Sequence, residues 1–261
     1  MKQYDSPIFG NVPKPSSFGE LLRLIQRPLK GEKRIVRIWR GQGDIAWPLH
    51  SSAYRRLALD GSPPSEKDML WYEESLLKRA THRGFRYING RRLSDFDLLA
   101  RLQHHGAATR LVDATRNALV GLYFSVVTHP KKVGALIGIH SDFLGGYEGE
   151  PQENDYQSVV QNLDKYQHPQ TWEPPQVSPR VAAQHSQFLY SAVSSDKTGS
   201  LSIHRSPGAF LVIAISPRLK RETLTILSEV FDIRYVTLFP DLDGFGFANS
   251  YRFGQWDVHR W

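Results

Sequence analysis

Apolar positions recur along this chain at helical and at extended spacing, and the two patterns alternate irregularly. Ser17-Phe18-Gly19-Glu20 has the form of a capping box, and Leu21, Leu22, Leu24 and Ile25 follow on one helical face. Arg34-Ile35-Val36-Arg37-Ile38 predicts a strand over about 33–39, with a loop from Gly41 to Pro48. Ser65 can cap a helix from 66 to about 82, whose buried stripe is Met69, Leu70, Leu76, Leu77 and Ala80. Ser94-Asp95-Phe96-Asp97 opens another, with Leu98, Leu99 and Leu102 inward and Gly106 as its stop. Leu111-Val112 reads as a very short strand or an extended link. Asn117 to Val127 is apolar enough for a buried helix, closed by His129-Pro130, and Val133 to His140 for a core strand.

The second half is less regular. Gly145 to Pro179 is rich in Gln, Asn, Asp, Glu, Gly and Pro. It predicts an irregular excursion with one short helix near 155–163, serving either as a lid or as a disordered loop. Gln187 to Ala192, Ala209 to Ile215 and Tyr235 to Phe239 predict strands. Ser216-Pro217 has the cap and first-turn proline of a helix start, and Asp241 can cap a turn into a further helix. Residues 1–15 carry Pro7, Pro13 and Pro15 with little pattern, so an arm or loose cover is expected before one domain over 16–261. Helices and strands mix without strict alternation. That defines an α+β class, with helices packed on a central mixed or mainly antiparallel sheet.

Composition narrows the chemistry. The 261 residues are 40% hydrophobic and 11% aromatic, ample for a core. No apolar run reaches the ~18 residues of a membrane span, and no apolar stretch follows Met1-Lys2-Gln3-Tyr4-Asp5 as in a signal peptide. The absence of cysteine removes disulfides, thiolate zinc sites and a cysteine nucleophile, and suits a reducing cytoplasm. The net charge of +7 favours anionic partners such as nucleotides, nucleic acid or acidic surfaces. The clusters Arg55-Arg56, Arg91-Arg92 and Lys131-Lys132 read as solvated faces.

Candidate chemistry begins at Trp39-Arg40-Gly41-Gln42. An arginine fixed at a strand end can grip a phosphate or carboxylate through two parallel hydrogen bonds, and a glycine beside it lets backbone or ligand approach. Between two apolar helices, Gln103-His104-His105-Gly106-Ala107-Ala108-Thr109-Arg110-Leu111-Val112-Asp113-Ala114-Thr115 gathers polar groups in a pinned turn. Arg110 and Asp113 could equally pair with each other, or with Arg40, as a buried ionic tie. Arg180 before Val181-Ala182-Ala183 either binds phosphate or is solvated. Metal binding has no pattern here, since His104 and His105 are expected to diverge on a helix and H-E-x-x-H is absent. No G-x-S-x-G elbow or P-loop exists, and Gly41-Gln42-Gly43 lacks the third glycine of a Rossmann fingerprint, which is Ala46 here.

Trp39-Arg40-Gly41 and the 103–115 segment, with Ser178-Pro179-Arg180-Val181-Ala182-Ala183-Gln184, Phe188 and Thr237-Leu238-Phe239-Pro240-Asp241-Leu242-Asp243-Gly244, resemble the FRG domain family from about 18 to 250. The family is named for an aromatic-Arg-Gly motif, and tryptophan stands here for its usual phenylalanine. Ala114 and Ser186 depart from it, where an aromatic and a glycine are expected. The family is distantly similar to the ADP-ribosyltransferase fold. That resemblance implies NAD as substrate, its diphosphate and ribose held by Arg40. Trp39, Gly41, Gln42, His104, Arg110 and Arg180 would surround it, while Thr109, Thr115 and Tyr123 or Phe124 would form a nicotinamide wall. Gln184 takes the third position, against the ribose, with Asp113 and Asp243 as rivals. Breaking the nicotinamide–ribose bond builds positive charge on the sugar, which an aimed carboxylate or amide oxygen stabilises.

The implied activity is ADP-ribose transfer to a macromolecule, protein or nucleic acid, in a bacterial toxin or phage-defence role with an antitoxin or immunity protein as partner. Two alternatives compete. One is a non-catalytic nucleic-acid module using exposed Trp39, Trp47, Trp71 or Tyr87. The other is a metal-independent nuclease built on His104, His105 and Arg110. The enzymatic reading requires Arg40, the 109–115 bend and Gln184 to border one cavity.

Overall fold

The structure, a computed structural model, describes residues 2–26, 37–147, 149, 151, 154–175, 178–204, 206, 208–251 and 253. The chain begins with a hairpin, β1 (Lys2–Ser6) and β2 (Gly10–Lys14), followed by α1 (Phe18–Gln26) and β3 (Arg37–Gln42). Next come α2 (Ser52–Leu57), α3 (Glu66–His82), the short ribbon β4 (Tyr87–Ile88) and β5 (Arg91–Arg92), and α4 (Asp95–His104). β6 (Val112–Thr115), α5 (Ala118–Val126) and β7 (Gly134–His140) complete the first half. The second half holds α6 (Tyr156–Val160), β8 (Gln170–Trp172), α7 (Pro179–Ala183), β9 (Ser186–Tyr190) and β10 (Phe210–Ile215). It closes with α8 (Pro217–Phe231), α9 (Tyr235–Leu238) and α10 (Leu242–Ala248).

One six-stranded sheet, in the order β10-β7-β3-β6-β9-β8, organises the α+β fold, and every neighbouring pair in it is antiparallel. All of β7 is buried, because it lies between two strands and is covered on both faces. On one face Ile38, Val112, Ala114, Ile137, Ile139 and Val212 pack with Val12 of the hairpin and with Ile45, Leu49 and Leu201. On the other face Trp39, Leu136 and Ile213 meet α5, α1 and α8 through Val120, Tyr123, Leu21 and Leu219. At the β8–β9 end that same side is covered by α3 and α4, where Phe96 meets Trp172 and Tyr190 edge to face.

Two close contacts set the position of β3. A Cβ on Gly41 would lie 1.9 Å from the carbonyl oxygen of Gly121, so only glycine lets α5 sit this close to the strand. Gly41 therefore serves helix packing, and β3 runs through it to Gln42 rather than stopping there. Beyond the strand, Lys220 of α8 is buried and donates to the carbonyls of Gly43, Thr128 and His129 at 2.6, 3.0 and 3.1 Å. Three acceptors satisfy the ammonium, although burial pushes its pKa down.

Several local expectations differ from the structure. The stretch expected as a patternless arm pairs as a hairpin, with Tyr4 opposite Val12 and the Ser6 hydroxyl accepting from the Ile8 and Phe9 amides. Tyr235 to Phe239 is not a strand. Tyr235 stacks on Phe239 one turn away, with ring centroids 4.4 Å apart, and the Thr237 hydroxyl accepts from the Arg234 amide. The excursion holds α6 as expected and adds an edge strand, β8. The expected strand before residue 37 lies outside the described residues. Among the described residues no helix is long and apolar enough to cross a membrane.

Candidate functional site

The ladder between β3 and β6 holds a single pair, Trp39 opposite Thr115. Past that pair the strands separate, and a cleft of about 950 Å³ opens over the gap, walled by α4 on one side and α5 on the other. Side chains from distant segments line it: Arg40, Gln42, Asp113, Thr115, Phe188 and Gln184 near the sheet, and Asp97, Gln103, His104, Phe124, Arg180 and Phe239 around it.

Arg40 reaches across the gap and donates from Nη1 to the main-chain carbonyl of Asp113 at 2.6 Å. Its Nε is buried with no hydrogen-bond partner, and among the described residues it makes no ion pair. Burial works against the charge, Asp113 favours it and Arg55 disfavours it, so the net direction is downward. A guanidinium nevertheless stays protonated at physiological pH. Gln42 Oε1, Asp97 Oδ1 and Arg180 Nε are also buried and unpartnered, and all three residues line the cleft. Buried polar atoms are normally paired, so four unpartnered ones around a single cleft make it the candidate ligand site.

The carboxylate of Asp113 is exposed to the cleft and accepts from Gln103 Nε2 at 2.7 Å. The Thr109 hydroxyl donates to Gln103 Oε1, so the Gln103 amide is fixed with its nitrogen toward Asp113. Thr115 donates to the Gln184 carbonyl at 2.7 Å, and Gln184 Nε2 donates to the Leu238 carbonyl at 2.9 Å. On the outer rim Arg180 pairs with Asp241 at 2.7 Å and lies 4.8 Å from the Phe239 ring centroid. Asp241 also accepts from the Gly244 amide as the cap of α10. His104 Nε2 stands 3.4 Å from Asp241. Partial burial, and then Arg180, lower the His104 pKa and favour its neutral form.

Of the residues singled out by sequence, Trp39, Arg40, Gly41, Gln42, His104, Asp113, Thr115, Arg180 and Gln184 line the cleft, as does Phe124. Thr109, Arg110 and Tyr123 do not. Thr109 is buried and joins α4 to α2, its amide donating to Ser52 Oγ at 2.9 Å. Arg110 is taken up by Glu73 at 2.7 Å, Glu66 at 2.9 Å and the Tyr156 hydroxyl at 2.8 Å, a buried tie whose partners are neither Asp113 nor Arg40. Those groups hold the Arg110 pKa up against burial. The expected nuclease trio therefore does not assemble. Tyr123 faces the helix–sheet core. Trp39 is 5% exposed, which removes it from any stacking surface. His104 and His105 do not diverge: their ring centroids are 4.9 Å apart, and with Asp243 their ligand atoms lie within 4.8 Å of one another.

Residues that sequence reasoning passed over are Gln103, Asp97, Arg55, Arg101 and Phe239. Gln103 carried a signal, since it follows the inward Leu99 by one helical turn. Arg55 carried none, because only the fold brings α2 to this wall.

Residues 36–133 match the model of the FRG domain family. The matched span covers β3 through α5 and so contains Arg40, Gln103 and Asp113, while Arg180, Gln184 and Phe239 complete the cleft from outside it. No curated protein and no solved structure matches the chain.

Proposed function

We propose that the cleft binds NAD and transfers its ADP-ribose to a macromolecule. The observation that carries this reading is the Arg40 guanidinium, held by one carbonyl at a break in the sheet with its Nε unpaired. Such a group is preorganised for a diphosphate, and Arg55 adds positive charge to the same cleft. Phe124, Phe188 and Phe239 offer apolar faces for flat rings.

Asp113 suits the developing positive charge on the sugar, being a carboxylate already oriented by Gln103. Gln184 supplies its Oε1, since its nitrogen is engaged by Leu238. In the reaction the bond from ribose to nicotinamide breaks and nicotinamide leaves with the electron pair. A bond from ribose to the acceptor forms, and the acceptor gives up a proton. A toxin or phage-defence role, with an antitoxin or immunity partner, rests on the family resemblance alone and belongs to the same proposal.

Calorimetry with NAD on the full chain, followed by labelled NAD in cell extract, tests the reading. Binding, nicotinamide release and label transfer are expected, all lost in Arg40→Ala, with transfer lost in Asp113→Asn. Absence of binding at millimolar NAD overturns it.

A further inference from the structure

Ser65–Asp68 and Ser94–Asp97 have the same spacing at the starts of α3 and α4, yet their aspartates behave differently. Asp68 turns back and accepts from the Ser65 amide at 2.8 Å and its hydroxyl at 2.6 Å, closing a capping box. Ser94 caps α4 through the Asp97 amide at 3.1 Å, but the Asp97 carboxylate makes no return bond. It is 5% exposed, its Oδ1 has no hydrogen-bond partner, and it lines the cleft beside Ile88, Leu93, Ala100 and Phe188. A buried carboxylate oxygen left without a partner costs stability, and the same spacing lets Asp68 close a capping box where Asp97 does not.

We infer that Asp97 is a recognition residue whose carboxylate accepts the hydroxyls of a ribose, and that it makes the cleft selective for NAD over its 2′-phosphorylated form. The inference rests on the proposed NAD reading and names the part of the ligand that this end of the cleft takes. A vicinal diol presents two O–H donors, which match the two oxygens of one carboxylate, and Ile88, Leu93 and Phe188 offer an apolar bed for the base attached to that sugar. A phosphate on the 2′ oxygen would replace a donor by a dianion facing an unpaired carboxylate. Such juxtaposed like charges are a strong basis for rejection.

The test is calorimetry with NAD and with NADP on the full chain and on Asp97→Asn, together with thermal unfolding of both proteins without ligand. The wild-type chain is expected to bind NAD at least tenfold more tightly than NADP. In Asp97→Asn, NAD affinity falls and the preference drops below about threefold. Ligand-free Asp97→Asn is expected to melt at or above the wild-type temperature, because the buried Oδ1 has no partner for the variant to lose. Equal affinities of the wild-type chain for the two dinucleotides, or a lower melting temperature with unchanged NAD affinity in the variant, overturns the role of Asp97 while leaving NAD binding standing. Failure of both dinucleotides to bind overturns the NAD reading and this inference with it.

Discussion

Arg40 and Asp113 meet through a side chain and a main chain: the guanidinium donates to the Asp113 carbonyl at 2.6 Å, just where the β3–β6 ladder has ended. The contact aims the arginine along the cleft without neutralising it. Arg40→Lys keeps the charge but loses the fork. The expected cost is about 3 kcal/mol of NAD binding from two lost charge-assisted bonds, or ~10²-fold in affinity. Calorimetry on the variant checks this, with circular dichroism to confirm the fold.

Gly41→Ala places a methyl against main-chain atoms on α5, 1.9 Å from Gly121 O and 2.5 Å from Ser125 N. Neither can move without displacing the helix. A loss of about 3 kcal/mol, the upper range for overpacking, is expected in urea unfolding.

Arg110→Met leaves Glu73 buried with only Tyr156 and the Arg110 amide as donors. The expected loss is about 3–5 kcal/mol, as for one partner removed from a buried pair. Adding Glu73→Leu removes the stranded charge, so the double variant should recover at least half of that loss. A double-mutant cycle by chemical denaturation measures it, and a further loss in the double variant would show that the tie is not the source of the cost.

Acid should destabilise the protein partly through His104. Its folded pKa lies below the ordinary 6.5, so between those values the unfolded chain binds more protons than the folded one. Stability from this group is therefore fully present above pH 6.5 and falls as the pH drops toward the folded pKa. His104→Gln should flatten the stability-against-pH curve over that interval. His50, lowered by burial and then by Arg55, contributes a slope of the same sign that the variant retains.

Local signals carried much of this fold. Ser65, Ser94, Asn117, Ser216 and Asp241 all cap helices where their sequence context placed them. The cleft was legible in part: Arg40 and Asp113 are polar residues set in short apolar strands and Gln184 ends α7, although Arg40 lies within β3 rather than at its end. Arg110 was not, because its partner Glu73 is an ordinary helix residue, and nothing local marks a glutamate that will be buried in an ion pair. Tyr123 failed differently. An almost wholly apolar α5 gives no polar face by which to orient its residues. At Tyr235, aromatic and β-branched residues favoured a strand, and a ring stack one turn apart outweighed them.

The lone rung between Trp39 and Thr115 divides the sheet into two three-stranded leaves, each carrying its own helices. Main-chain pairing joins β3 to β6 at that rung alone, whereas β3 and β7 are matched over six pairs, so the leaves are held together chiefly by shared side chains, Ile38 and Ile137 against Val112 and Ala114. The seam is thus a joint made by apolar packing more than by hydrogen bonds, and its strength rests on the fit of a few aliphatic side chains.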